Sequence, residues 1–153
     1  MDKVDHEILR LLQDDASLSL NKIAELVNLS PTPCWRRIQR LESDGVIEKK
    51  VALLDPKKIN LSVTVFVAIK TKHHTPAWLE KFSKTVQHIP EIVDVYRMSG
   101  DVDYLLRIVA PDISGYDLVY KKLIAGIELF DVSSSFVMEK LKSTTALPLD
   151  YAQ

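Results

Sequence analysis

The sequence predicts an α+β chain in two parts: three compact helices with a short wing, then a β-α-β-β-α-β unit. Three observations carry this expectation. Apolar residues recur at helical spacing up to about Val46, and beyond Asn60 the period falls to two. Strand-like and helix-like stretches then alternate in the order of a ferredoxin-like sandwich.

The first helix is expected where Val4, Ile8, Leu11 and Leu12 repeat, with Asp2 as its cap. After a polar break at Asp14-Asp15, Ser19 caps a short second helix whose inner face carries Ile23, Ala24 and Val27. Asn28 suits the left-handed position that follows. Ser30 caps a third helix, Pro31 occupies its first turn, where a missing amide costs nothing, and Gly45 closes it. Residues 46–54 read as one or two short strands, and Asp55-Pro56 with Asn60 mark a hinge. The expected domains are therefore 1–60, a winged helix-turn-helix with its linker, and 61–153, the sandwich with a C-terminal tail.

In the second part Val63, Val65, Val67 and Ile69 share one strand face, opposite Ser62, Thr64, Ala68 and Lys70. A helix follows Thr75-Pro76 with Leu79, Phe82 and Val86 inward. Strands are expected over residues 92–98 and 104–110, joined by residues 99–103. A helix over residues 114–124 and a strand over residues 132–140 complete the order. Tyr116, Tyr120 and Leu123 fall at helical spacing, as core or dimer contacts.

Composition narrows the function classes. The chain has 153 residues, 46% of them hydrophobic and 27% charged, with a net charge of −1. Nucleic-acid binding would therefore depend on local charge placement, since a few phosphate contacts suffice on a neutral chain. Cys34 is the single cysteine, which excludes an internal disulfide and a multi-cysteine metal knuckle. The first seven residues lack the apolar core of a secretory signal, and residues 63–69 are too short to span a bilayer. A soluble intracellular protein without membrane contact is the expectation.

The third helix carries the clearest chemistry. Cys34, Ile38 and Leu41 share a narrow arc, the core face. The opposite arc holds Thr32, Arg36 and Arg40, flanked by Pro33 and Arg37. Arginine suits bidentate contact with phosphate or with the O6/N7 edge of guanine. The N-terminal turn of such a helix enters the major groove first, and Ser30 with the first-turn amides could hold a phosphate. Lys49 and Lys50 would reach flanking phosphates from the wing. The competing reading is a solvated arginine face, but that leaves unexplained the three-helix order, the Pro-defined start and the absence of acids from positions 32 to 41. Trp35 lies on the flank, and bracing of the neighbouring helix is preferred to stacking on a sugar.

The stretch Gly100-Asp101-Val102-Asp103-Tyr104 sits between two strands. One reading is a hairpin turn, with Gly100 taking a positive φ and the aspartates satisfying local amides. The other is an amino-acid pocket, with Asp101 or Asp103 on an α-ammonium and amides near Gly100 on an α-carboxylate. Adjacent His73 and His74 point apart and lack a third ligand, so no metal site is expected. Cys34 reads as core. No cofactor-binding loop and no catalytic arrangement has persuasive spacing, so no cofactor and no enzyme activity are expected.

These residues resemble the leucine-responsive/asparagine regulators, the Lrp/AsnC family. The resemblance rests on Asp5 with Ile8-Leu9, on Ser30-Pro31-Thr32-Pro33-Cys34, and on Arg37, Arg40-Leu41-Glu42 and Gly45-Val46-Ile47. It continues through Gly100-Asp101-Val102-Asp103-Tyr104-Leu105-Leu106 and so runs over essentially the whole chain. Ser134-Ser135-Phe136 and Thr144-Thr145-Ala146-Leu147-Pro148 resemble regulators of amino-acid catabolism within it. The resemblance implies sequence-specific binding of double-stranded DNA, controlled by a small effector, usually an amino acid. It also implies homodimers that assemble to octamers. It favours the pocket reading of the loop, with Met98, Ser134, Ser135 and Phe136 as walls beside Gly100, Asp101, Asp103 and Tyr104. The alternative is an architectural protein that wraps DNA with little sequence preference.

Overall fold

The computed structural model describes residues 1–152. It divides into two compact units. One is Met1–Leu53 together with the segment from Lys142; the other is Leu54–Leu141. This differs from the expected 1–60 and 61–153. The tail from Lys142 joins the helical unit rather than the sheet.

In the helical unit α1 (Lys3–Asp14), α2 (Leu20–Leu26) and α3 (Pro31–Ser43) enclose one core. Local chemistry sets each boundary. Asp2 and Asp5 form a reciprocal capping box at the start of α1, and Ser19 accepts from the Lys22 amide at the start of α2. Asn28 takes φ 54°, which lets the chain turn into α3, and Gly45 takes φ 73° just after that helix. Ile8, Ile23, Ala24, Cys34, Ile38 and Leu41 are buried between the three helices.

The tail reaches this unit through α1. Gln13 accepts from the Leu147 amide at 2.6 Å and donates to the Leu147 carbonyl at 3.3 Å, and Leu149 packs on the helical core. The expected wing strands are absent. Residues 48–55 run without a ladder partner, and Val51, Leu53 and Leu54 are exposed.

The sheet unit has β1 (Val63–Lys70), α4 (Pro76–Gln87), β2 (Ile92–Arg97), β3 (Tyr104–Ala110), α5 (Ile113–Gly126) and β4 (Asp131–Phe136). All pairings are antiparallel, in the order β2-β3-β1-β4. This is the βαββαβ arrangement expected from the alternation. Val65, Val67 and Ile69 of β1 and Tyr104, Leu106, Ile108 and Ala110 of β3 point to the helix-covered face, where they meet Phe82, Val86, Val119 and Leu123. The other face carries the alternate residues, with Phe66 and Tyr96 exposed.

Two details depart from expectation. Leu79 is exposed and Trp78 takes the inner position, stacked on Phe82 at 5.1 Å with its indole N–H donating to the Glu128 carbonyl. The larger ring buries more apolar area there and still finds a polar partner. β4 ends at Phe136 rather than 140, because its ladder with β1 runs out at Val65. No helix among the described residues is long and apolar enough to cross a membrane.

The two helices approach closely at the end of α5. A Cβ built on Gly126 would lie 2.5 Å from Cγ2 and 3.0 Å from Oγ1 of Thr85. Gly126→Ala is therefore expected to lower stability by about 1–3 kcal/mol through overpacking. Adding Thr85→Ala, which removes both atoms, should recover most of the loss in urea unfolding midpoints.

Candidate nucleic-acid interface and effector loop

The geometry of α3 begins with its prolines. Ser30 holds an extended conformation (φ −75°, ψ 157°) and Pro31 takes the first helical position, but the Ser30 side chain makes no capping hydrogen bond. Of the first three helical positions only Thr32 has an N–H, since Pro31 and Pro33 have none. The amide cradle expected for a phosphate is reduced to that single donor.

The three arginines, expected to emerge together, are divided by α1. Asp5 is 1% exposed and both its oxygens are engaged. Oδ1 accepts from Arg37 Nη1 at 2.8 Å, and Oδ2 from Arg40 Nη2 at 2.6 Å and from the Asp2 amide at 3.0 Å. Arg37 Nη1 also donates to Asp2 at 2.6 Å. The Arg40 side chain is half-exposed, yet its guanidinium turns back to the carboxylate. Arg36 is exposed and makes no ion pair or hydrogen bond among the described residues. Thr32 and Pro33 are exposed beside it. Lys50 pairs with Glu42 at 2.7 Å, whereas Lys49 is exposed and unpaired among the described residues.

Burial alone would push the Asp5 carboxyl up. The Asp2 amide, the Arg37 hydrogen bond and the Arg40 charge outweigh it and hold the carboxyl below the ordinary value of 3.8. Asp2 is lowered as well, by the Asp5 amide first and then by Arg37. Arg37 is correspondingly raised by Asp2 and Asp5. Burial raises the Cys34 thiol, and the side chain packs in the core as expected.

The sequence did carry a signal for this cluster. Asp5 stands three residues before Ile8 on the inner face of α1, and a carboxylate there requires basic partners. The pair three residues apart on α3, Arg37 and Arg40, supplies them.

In the sheet unit the expected effector residues fall into two groups. Gly100 takes φ 104° in the link between β2 and β3. Asp103 serves the backbone: its Oδ2 accepts from the Thr71 amide at 2.8 Å, its own amide donates to Ile69, and its carbonyl accepts from Met98. Asp101 is fully exposed, 3.4 Å from Lys70 Nζ. Tyr104 points away from the link. It is buried on the helix-covered face, 4.6 Å from Phe82.

Ser134 shares a short hydrogen bond with the Tyr116 hydroxyl, and Phe136 meets the Tyr116 ring edge-on at 5.2 Å. Ser135 faces Phe66 across the ladder, on the open side of the sheet. The link lies beyond the Ile69–Tyr104 register pair of β3 and β1, whereas Ser134–Phe136 pair with Val67, Phe66 and Val65 on the far edge of β1. Within one chain the two groups thus lie on opposite sides of β1. His73 lies 3.9 Å from Glu128, and no group of three or more potential metal ligands occurs among the described residues.

Residues 1–48 match the family model described as winged helix-turn-helix DNA-binding, and residues 64–147 match the Lrp/AsnC ligand binding domain. The chain belongs to the Lrp/AsnC family. It is therefore a DNA-binding transcription regulator with an effector-binding domain, and not an enzyme. This family member is 50% identical to the DNA-binding transcriptional activator DecR of Escherichia coli K12 over 151 residues, 98% of this chain and 99% of that one. Its structure is similar to that of an AsnC family transcriptional regulator from Agrobacterium tumefaciens, with a TM-score of 0.96 and 59% identity over the full length of both chains. It is also similar to a transcriptional regulator from Neisseria meningitidis solved as a complex with L-Met, with a TM-score of 0.93 and 34% identity, covering 98% of this chain and 97% of that one.

The Asp5 cluster makes a prediction about acid stability. A carboxyl whose folded pKa is depressed adds stability above its unfolded value, and that stability is lost as pH falls through the folded value. The helical unit should therefore lose stability progressively below about pH 4. Asp5→Asn should flatten that dependence and cost about 1–3 kcal/mol at pH 7. Melting followed by circular dichroism from pH 7 to pH 2.5 measures both.

Proposed function

We propose that this regulator recognises specific duplex sites through Thr32, Pro33 and Arg36 on the exposed face of α3. Lys49 adds a phosphate contact, while Arg37 and Arg40 set the pose of the helix from behind. The observation that carries this reading is the isolation of Arg36, an exposed guanidinium without a partner on a helix whose other arginines are held by Asp5. A free guanidinium reaches guanine or phosphate without first breaking an ion pair. Two copies of α3 in a homodimer would address successive major grooves of a near-palindromic site. The net charge of −1 favours such local contacts over extensive wrapping.

The effector is proposed to be an amino acid, supported by the L-Met complex of the Neisseria relative. Met98, Gly100 and Asp101 from one protomer and Ser134, Ser135 and Phe136 from another would complete its site in the assembled dimer or octamer. The separation of the two groups within one chain supports an assembled site. An effector that favours one assembly state then shifts DNA affinity by linkage.

Arg36→Ala is expected to weaken binding to a selected operator by about 1–3 kcal/mol, measured by gel-shift titration. Arg37→Ala should instead lower thermal stability as well as affinity. Equal affinity for wild type and Arg36→Ala would overturn the assignment.

Screening the twenty amino acids by thermal shift should reveal a subset that raises the melting temperature, since a ligand at 100 times its Kd adds about 2.7 kcal/mol. Asp101→Ala should abolish the shift if that carboxylate holds the α-ammonium.

A further inference from the structure

The chain has two tryptophans in opposite situations. Trp78 is 9% exposed, stacked on Phe82, with its N–H bonded to the Glu128 carbonyl. Trp35 is 51% exposed, and its N–H has no partner among the described residues. The exposed indole leaves a large apolar ring and an N–H donor in water, groups that tryptophan usually buries and pairs. Trp35 shares a shallow groove of about 180 Å³ with Leu20 of α2, Pro31 and Thr32.

Position decides what the groove faces. Trp35 lies between the buried arc of Cys34 and Ile38 and the exposed arc of Thr32 and Arg36. Thr32 is three residues away on the same side and is proposed above to meet a base edge. The adjacent Arg36 carries unpaired positive charge, and the groove itself is lined mostly by apolar side chains. A duplex major groove offers anionic walls and one apolar base substituent, the C5-methyl group of thymine. Both complement this surface.

We propose that Trp35 is a specificity residue of α3. Its indole face packs on the C5-methyl group of a thymine at one edge of each half-site, and its N–H donates to the adjoining phosphate. The assignment rests on α3 being the DNA-reading helix and adds a hydrophobic reader to the guanidinium of Arg36. The contact selects thymine over cytosine at that position by the methyl group rather than by hydrogen bonding.

The test starts from selection of a randomised 40-base-pair duplex library with the full-length chain, and separately with Trp35→Ala. Wild type should enrich a motif containing a thymine that the variant no longer requires. Replacing that thymine by deoxyuridine, which lacks only the methyl group, should weaken wild-type binding about fourfold, the effect of one buried methyl-sized group. The same replacement should leave Trp35→Ala unchanged. An independent readout is acrylamide quenching. Duplex should shield the accessible tryptophan emission in wild type, and no such change should occur in Trp35→Phe. A motif and a deoxyuridine effect identical in wild type and Trp35→Ala would overturn the proposal while leaving α3 as the reader. No enriched motif with wild type would instead remove the DNA-reading assignment on which it rests.

Discussion

A single buried carboxylate organises the helical unit. Asp5 lies at the third position of α1, where it caps the helix with Asp2, and it also faces the core between α1 and α3. Removing a carboxylate from water without partners costs several kcal/mol, so the fold around it is constrained to supply them. Two arginines from one turn of α3 do so, and the Asp2 amide completes the set. The start of α1, the packing of α1 on α3 and the charge left on the outer face of α3 all follow from that requirement. Because the two aspartates balance Arg37 and Arg40, Arg36 carries the uncompensated positive charge of the helix.

The sheet unit is built on a different constraint. One face of its four strands is sealed by α4 and α5 through an uninterrupted apolar layer, and the aromatic group Trp78, Phe82 and Tyr104 closes one end of it. Tyr116 ties α5 to the edge strand β4 through Ser134 and Phe136. Burial pushes the Tyr116 hydroxyl up despite that hydrogen bond, so it remains a neutral donor or acceptor there.

The elements were legible because their signals are local. Asp2, Ser19, Asn28 and Gly45 each mark a boundary through their own backbone chemistry, and the alternation of Val63 to Ile69 reports which face of β1 is covered. What a sequence pattern does not contain is the partner across space. Periodicity put Leu79 inward because it counts apolar residues, whereas packing chose the larger Trp78. The three arginines share an outward sector on a helical wheel, but long side chains can turn, and the charge on Asp5 turned two of them. Asp103 and Tyr104 belong to one motif in sequence. Neighbouring side chains along an extended chain point to opposite sides, so one ends on the Thr71 amide just past β1 and the other in the core. The apolar run after Gly45 resembled a strand in composition, yet a strand also needs a neighbour to bond to.

The helical unit is discontinuous in sequence. Its three helices occupy the first part of the chain, but Leu147 and Leu149, which bind Gln13 and extend the core, follow the whole sheet unit. During synthesis the helices emerge on the order of ten seconds before those residues, at typical translation rates. Over that interval Gln13 lacks its Leu147 partner and the helical core lacks Leu149. Completion of the helical unit thus reports that the sheet has already been made, which orders the assembly of the molecule in time.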